Sequence, residues 1–216
     1  LMTKLLVKYF LASMMLMTFG ANFVVADNSD PVTVSHGYSF FGDLKYPADF
    51  AHLEYVNPTA PKGGEISQWG FGTFDSFNGY ARKGNSASLS SAPYETILTS
   101  FADDLTSSYC YLCKTLEYPE SRNWAIFNLR EDITFSDGSR LTADDVKFTF
   151  ELFMDQGIPS YRAAVSGMVE TIDVIDPFKI KFTFAADAPR RDVIDLAGGI
   201  PVFSKAWFED TGARLD

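Results

Sequence analysis

The sequence predicts an α/β fold, and three observations support this prediction. Strand-like runs of alternating apolar residues lie on both sides of a helical run whose apolar residues recur at spacings of three and four. Hydrophobic residues make up 46% and aromatic residues 15% of the 216-residue chain, which is enough to bury a substantial core. Gly and Pro separate the runs, as they do between secondary-structure elements. We therefore expect a folded rather than a disordered chain.

The N-terminus has the pattern of a secretory signal peptide. Two lysines open an apolar or small run over residues 10–25, and Val-Val-Ala at 24–26 suits signal peptidase. A transmembrane anchor is the alternative, but it needs about 20 apolar residues, and Gly20 interrupts this short run. We predict that residues 1–26 are a signal peptide cleaved after Ala26, so the mature protein is periplasmic.

The chain is acidic, and cleavage makes it more so. The predicted signal peptide holds two of the 18 Lys and Arg residues and none of the 28 Asp and Glu residues. Its removal changes the formal charge from −10 to −12. A surface of this sign attracts neither nucleic acid nor anionic membrane, so we expect a soluble monomer without nucleic-acid partners.

The first half of the mature chain gives weaker structural signals. Residues 27–36 are polar and predicted to be flexible, whereas residues 37–64, rich in Gly, Pro and aromatics, predict a packed irregular segment. Residues 65–71 alternate and predict a first strand. Residues 86–98 can form a helix, with Pro93 in its first turn. The polar run that follows, residues 102–108, is interpreted as a connection.

The second half is clearer. Residues 124–130 and 133–135 predict two strands, and Ser-Asp-Gly at 136–138 predicts a turn. Thr142 is a predicted N-cap, with Asp144 and Asp145 at the positive end of the helix dipole.

The same helix and the elements after it follow from apolar spacing. The predicted core-facing residues of the helix are Val146, Phe150 and Phe153. Gly157 and Pro159 end the helix. Residues 171–175 and 179–184 then predict a hairpin, and an amphipathic stretch near residues 191–196 follows.

Cys110 and Cys113 form a C-x-x-C pair, which in an oxidising compartment can be a redox centre. A thioredoxin-type site needs the first cysteine at a helix N-terminus, and a polar run precedes this one. We favour partly buried thiols or a disulfide without redox function. Zinc would need two more ligands, and His36 and His52 are the only histidines, so no metal and no cofactor is predicted.

Two long runs carry a resemblance to a known family. Residues 123–153, NWAIFNLREDITFSDGSRLTADDVKFTFELF, resemble the signature of the extracellular solute-binding proteins of family 5, the oligopeptide-, dipeptide- and nickel-binding group. Residues 41–64, FGDLKYPADFAHLEYVNPTAPKGG, resemble its YejA-like branch, associated with peptides and with peptide-nucleotide antibiotics of the microcin C type. The resemblance covers about residues 36–210.

The resemblance implies a periplasmic binding protein-like fold of type II (class C), whose two lobes close on a ligand. Since family members are more than twice this length, residues 27–216 are expected to be an N-terminal lobe, truncated before the second lobe. The implied function is substrate binding for an ABC importer of peptides or peptide-like compounds. Its implied partners are the ligand and an inner-membrane permease, with no cofactor and no covalent chemistry.

Two other functions stay open beside this one. The first is a secreted thiol oxidoreductase that uses Cys110 and Cys113. The second is a nickel- or metallophore-binding protein, since the wider family includes nickel binders. A hydrolase is disfavoured because neither H-E-x-x-H nor G-x-S-x-G occurs in the sequence.

The candidate ligand-binding residues follow the predicted first strand. They are Phe71, Thr73, Phe74, Asp75 and Asn78. The alternative interpretation of residues 75–78 is ordinary turn chemistry, because Asp, Ser and Asn hydrogen-bond readily to their own backbone.

Overall fold

The computed structural model describes residues 30–215, which form two sheets and four helices. The signal peptide predicted over residues 1–26, with cleavage after Ala26, lies outside this part of the chain. The strands are β1 (Val32–Ser35), β2 (Gly37–Ser39), β3 (Leu98–Phe101), β4 (Asp104–Cys110), β5 (Cys113–Pro119), β6 (Trp124–Leu129), β7 (Val169–Asp176) and β8 (Lys179–Phe184). The helices are α1 (Ala143–Gln156), α2 (Pro159–Val165), α3 (Val193–Gly198) and α4 (Lys205–Thr211). The predicted α/β class is confirmed.

Paired strands run antiparallel in both sheets. The larger sheet has the order β1-β5-β6-β8-β7 and the smaller one β2-β4-β3. The predicted hairpin is confirmed as β7 and β8, with Ile172 opposite Phe182. α1 and α2 connect β6 to β7, which lies at the sheet edge and exposes Glu170, Asp173 and Asp176.

The core lies between the larger sheet and α1. Buried and half-buried side chains alternate along strands β6 and β8, because every second side chain of a strand points to the same face. Phe127 and Phe182 are fully buried, with ring centroids 5.8 Å apart, and Phe150 of α1 lies 6.0 Å from Phe182. The predicted helical stripe is thus confirmed: Val146, Phe150 and Phe153 are all buried.

Helix α1 begins after Thr142, the predicted N-cap, and a capping box fixes this start. The Asp145 carboxylate accepts hydrogen bonds from the backbone N–H of Thr142 at 2.8 Å and from the Thr142 hydroxyl at 2.9 Å. Its other oxygen accepts from the backbone N–H of Lys205 at 2.9 Å. One buried side chain therefore ties the N-terminus of α1 to the N-terminus of α4.

Three predictions about the first half of the chain are wrong. Residues 65–71 do not form a strand, because no described strand pairs with them. Residues 86–98 form no helix: residues 88–93 are turns, which agrees with their serines and with Pro93, and Leu98 begins β3. Residues 102–108 are mostly strand β4 rather than a connection, because β4 pairs with β2 on one side and with β3 on the other.

Two smaller expectations also need correction. Residues 27–36 are predicted to be flexible, but in the part of this range that the structure describes, residues 30–36, β1 pairs with β5 and places Val34 opposite Glu117. Residues 133–135 form no strand and contribute only a single bridge between Thr134 and Arg140. The predicted turn that follows is present: Gly138 has a φ of +85°, and its N–H donates to the Phe135 carbonyl at 2.9 Å.

Cys110 and Cys113 form a disulfide across the turn between β4 and β5, with Cα atoms 4.9 Å apart. Neither cysteine lies at a helix N-terminus. This is the disulfide alternative of the sequence interpretation, and it connects the last residue of the smaller sheet's central strand to the first residue of the larger sheet's β5.

A polar network fastens the irregular segment after β2 to the smaller sheet. The Asp103 carboxylate accepts from the Lys45 ammonium at 2.7 Å and from the Tyr46 hydroxyl. The Tyr109 hydroxyl accepts from the backbone N–H of Tyr46 at 3.1 Å. The hydrogen bonds from Lys45 and Tyr46 lower the pKa of Asp103 below its ordinary value of 3.8.

This network is expected to make part of the stability depend on acid pH. Because the pKa of Asp103 is lower in the folded state, its contribution is complete above about pH 4 and is lost as the pH falls through the folded-state pKa. We expect Asp103→Asn to lower the urea midpoint at pH 6, and the difference from wild type to shrink towards pH 2. Asp187→Asn, an exposed control, should show no such pattern. A difference that stays constant from pH 6 to pH 2 would contradict this role.

Candidate functional site

The described part of the chain contains an open groove of about 730 Å³. It lies among four stretches: residues 93–95, 133–137, 202–208 and 213–215. We call it the aromatic groove because Tyr94, Phe135, Phe203, Trp207 and Phe208 line it. Its volume is in the range of pockets that hold small ligands, about 300–1,000 Å³.

Helix α1 positions one wall of the groove. The Thr149 hydroxyl donates to the Asp145 carbonyl at 2.7 Å and accepts from the backbone N–H of Phe203 at 2.9 Å. Ser204 then caps α4, because its hydroxyl oxygen accepts from the backbone N–H of Trp207 at 3.2 Å. The start of the short helix α4 is therefore held by the buried hydrogen bonds of Thr149 and by the exposed cap of Ser204.

The wall is built from aromatic rings that contact one another, mostly edge-on. Phe203 is buried, and its ring centroid lies 5.1 Å from Tyr94, 5.4 Å from Tyr80 and 5.6 Å from Phe208. Trp207 packs edge-on against Phe208 at 5.3 Å and keeps half of its surface exposed. The wall thus has a buried ring, Phe203, and a half-exposed ring, Trp207, which can make apolar contact with a ligand.

Charged groups of both signs line the same groove: Glu95, Asp137 and Arg214. The Glu95 carboxylate accepts from the Tyr111 hydroxyl at 3.0 Å, which raises the pKa of Tyr111. Hydrogen bonds from the hydroxyl and the N–H of Ser139 lower the pKa of Asp137, so its carboxylate is an anion at neutral pH. Charges of both signs therefore border the groove.

Of the residues predicted to line a ligand site, Asn78 borders the aromatic groove. Its side-chain oxygen accepts from the backbone N–H of Tyr80 at 3.0 Å. Phe77, next to it, also lines the groove and was not predicted. One of the five predicted residues, Asn78, therefore lies at the edge of the cavity.

The other predicted residues lie away from this groove. Phe71 is 90% exposed, Thr73 is exposed and Phe74 is 55% exposed. The Asp75 carboxylate accepts from the backbone N–H of Asn85 at 2.7 Å, an interaction that closes a loop. The ligand-binding role of these four residues stays a prediction.

The remaining groove residues were missed because they come from separate parts of the sequence. Glu95 precedes β3, Asp137 lies in the turn before α1, and Arg214 follows α4. Two runs of the sequence do contain groove residues. The F-S-D-G turn contains Asp137, and the F-S-K-A-W-F run over residues 203–208 contains Phe203, Trp207 and Phe208.

Metal sites and membrane-spanning helices are the two other features to consider within residues 30–215. No group of three or more His, Cys, Asp or Glu side chains within this range is arranged to hold a metal ion. None of the helices described is both long and apolar enough to cross a membrane.

Residues 112–213 match the family described as "Bacterial extracellular solute-binding proteins, family 5 Middle". The chain is 33% identical over 195 residues to "Uncharacterized protein YejA" of Escherichia coli, which covers 90% of this chain and 32% of the relative. It is 35% identical over 176 residues to "Probable peptide-binding protein YejA" of Agrobacterium fabrum, covering 82% and 28%. It is also 35% identical over 178 residues to "Peptidoglycan-binding protein YepA" of the same species, covering 79% and 29%. The chain thus spans about a third of the length of these curated relatives.

Solved structures with partial similarity include the oligopeptide-binding protein AppA of Bacillus subtilis in complex with a nonapeptide. That alignment has a TM-score of 0.49 at 15% identity and covers 64% of this chain and 27% of AppA. NikZ of Campylobacter jejuni in complex with Ni(L-His) aligns with a TM-score of 0.44 at 22% identity, covering 54% and 23%.

Proposed function

Since the chain belongs to family 5 of the bacterial extracellular solute-binding proteins, we propose that it is part of the periplasmic binding component of an ABC importer for peptides or peptide-like compounds. In this proposal, residues 27–216 form the N-terminal lobe, which closes on the ligand with a second lobe. The ligand is held without covalent chemistry and passed to an inner-membrane permease.

The aromatic groove is the observation that carries the proposal. It combines exposed ring surface at Trp207 with two carboxylates, Glu95 and Asp137, and one guanidinium, Arg214. A short peptide presents the matching chemistry, because its ammonium and carboxylate ends carry opposite charges and its side chains offer apolar surface. Carboxylate and guanidinium groups make strong charge-assisted hydrogen bonds to such ends.

The names of two similar proteins support the same ligand class. One A. fabrum relative is named a probable peptide-binding protein and the other a peptidoglycan-binding protein. Peptidoglycan contains short peptides, so both names denote ligands with peptide character.

The direct test is calorimetric titration of the secreted chain with trialanine, and with N-acetyl-trialanine amide as the blocked control. We expect saturable binding of trialanine, weaker binding of the blocked peptide, and recovery of both peptides unchanged by mass spectrometry. Cleavage of the peptide, or no difference between free and blocked ends, would contradict the proposal. Titration with nickel chloride in parallel tests the metal-binding alternative.

Trp207→Ala is expected to weaken trialanine binding about tenfold, because truncating an aromatic contact residue removes about 1–2 kcal/mol of binding free energy. Trp124→Phe is the matched control, since Trp124 lies on β6 outside the groove. It should leave the affinity unchanged within about twofold. Equal effects of the two substitutions would place the ligand elsewhere.

A further inference from the structure

A disulfide closes the turn at which the chain passes from the smaller sheet to the larger one. Cys110 is the last residue of β4, Cys113 is the first residue of β5, and the bond spans the two residues between them. A disulfide restricts the unfolded chain by closing a loop, and this restriction grows with the length of the loop. Here the sequence separation is only three residues. The main effect of this disulfide therefore lies in the folded turn.

The two residues inside the turn belong to the surroundings of the aromatic groove. Leu112 is 1% exposed and lines the groove. Tyr111 is 44% exposed, and its hydroxyl donates to the Glu95 carboxylate at 3.0 Å. Glu95 itself lines the groove. The disulfide thus closes a turn that supplies one apolar residue of the groove and holds one of its charged residues.

Hydrogen bonds on both sides fix the backbone of this turn. The N–H groups of Tyr111 and Leu112 donate to the Ile97 carbonyl at 2.9 and 3.2 Å. The N–H of Arg130 donates to the Leu112 carbonyl at 2.9 Å. The disulfide adds a covalent limit, because it keeps the Cα atoms at the two ends of the turn 4.9 Å apart. The direction in which the Tyr111 side chain leaves the turn depends on this closure.

The Glu95 side chain is exposed, so its position depends on its partners. Its backbone carbonyl accepts from the N–H of Val202 at 3.0 Å, which holds the main chain beside the groove. The carboxylate lies at the end of a flexible side chain, and fixing such a side chain costs rotamer entropy. A hydroxyl partner on a closed turn reduces the part of that cost that a ligand must meet on binding.

We propose that this disulfide is a positioning element of the aromatic groove. It keeps the turn closed, so that the Tyr111 hydroxyl holds the Glu95 carboxylate ready for a cationic group of the ligand. A dithiol that reduces the disulfide transfers two electrons and two protons, leaving two cysteine thiols and becoming a disulfide itself. The turn can then open, and the hydrogen bond from Tyr111 to Glu95 weakens. The ligand part of this inference rests on the function proposed above.

The test compares the secreted chain in its disulfide form with the same chain reduced by dithiothreitol. The hydrogen bond to Glu95 raises the pKa of Tyr111, so that pKa reports whether the bond is made. It is measured by carbon NMR of isotope-labelled tyrosine, and Tyr111→Phe identifies the signal. We expect reduction to lower the pKa of Tyr111 towards its ordinary value of 10.0. Trialanine binding should weaken about fivefold.

Two variants serve as controls. Cys110→Ala/Cys113→Ala should already have the lower affinity, and dithiothreitol should not change it further. Tyr111→Phe keeps the disulfide but lacks the hydroxyl. It should bind trialanine about fivefold more weakly than wild type, and reduction should add nothing, because the disulfide acts through this hydroxyl. The far-UV circular dichroism spectrum should be the same in every form, since the backbone hydrogen bonds of the turn persist.

Three results would overturn the inference: an unchanged pKa of Tyr111 after reduction, a further weakening by reduction in Tyr111→Phe, or loss of the folded circular dichroism spectrum on reduction. The last result would make the disulfide a purely structural one. The proposed function is judged separately. If no form binds trialanine while the pKa of Tyr111 falls on reduction, only the function is refuted. Trialanine binding with an unchanged pKa of Tyr111 refutes only the positioning role.

Discussion

Phe182→Ala is expected to lower the free energy of unfolding by about 3–5 kcal/mol, the range measured when a buried phenylalanine is truncated in a core. The side chain is fully buried on β8, a strand that has neighbours on both sides. Its ring contacts Phe127 from β6 and Phe150 from α1. The substitution therefore leaves a cavity where the sheet meets the helix, and neither neighbour can fill it without leaving its own packing.

Urea unfolding followed by far-UV circular dichroism measures this effect. Phe71→Ala is the matched control, because it removes the same atoms from a ring that is 90% exposed. Its expected effect is within about 0.5 kcal/mol. A loss below about 1 kcal/mol for Phe182→Ala would mean that the core on this face of the sheet is packed differently.

Asp145→Ala is expected to lower the free energy of unfolding by about 2–4 kcal/mol, since it leaves two partly buried backbone donors without their acceptor. The carboxylate is 7% exposed and accepts from Thr142 and from the Lys205 N–H. Its loss removes the cap of α1 and also releases the first residue of α4. Because α4 carries Trp207, the affinity for trialanine should fall together with the stability.

Asp144→Ala separates capping from simple charge. Asp144 is the preceding residue and lies in the same first turn, but it is exposed. It should cost only the helix-dipole contribution, about 0.3–1 kcal/mol, and should leave peptide affinity unchanged. Equal losses for the two alanine variants would show that the hydrogen bonds of Asp145 to Thr142 and Lys205 add nothing.

The elements that could be predicted are those whose signals are local. In the hairpin β7–β8, β8 alternates strictly and the turn is short, and α1 has an N-cap, an acidic first turn and an apolar stripe. β4 was missed because its outward positions carry Thr106 and Ser108, so its composition is that of a loop. Its strand character comes from pairing with β2 and β3 on either side, which sequence spacing does not reveal.

The segment over residues 65–71 shows the opposite case, a strand-like sequence that forms no strand. Its alternation predicts a strand, but a strand needs a neighbour to hydrogen-bond with, and the described residues supply none. Of the residues that line the aromatic groove, the sequence predicted only Asn78. The charged residues Glu95, Asp137 and Arg214 are brought together by tertiary packing across more than half of the described chain.

The acidic edge of β7 bears on how this protein behaves at high concentration. Glu170, Asp173 and Asp176 lie along the outermost strand of the larger sheet. Two such edges repel each other while their carboxylates are ionised, which discourages sheet-to-sheet growth into fibrils.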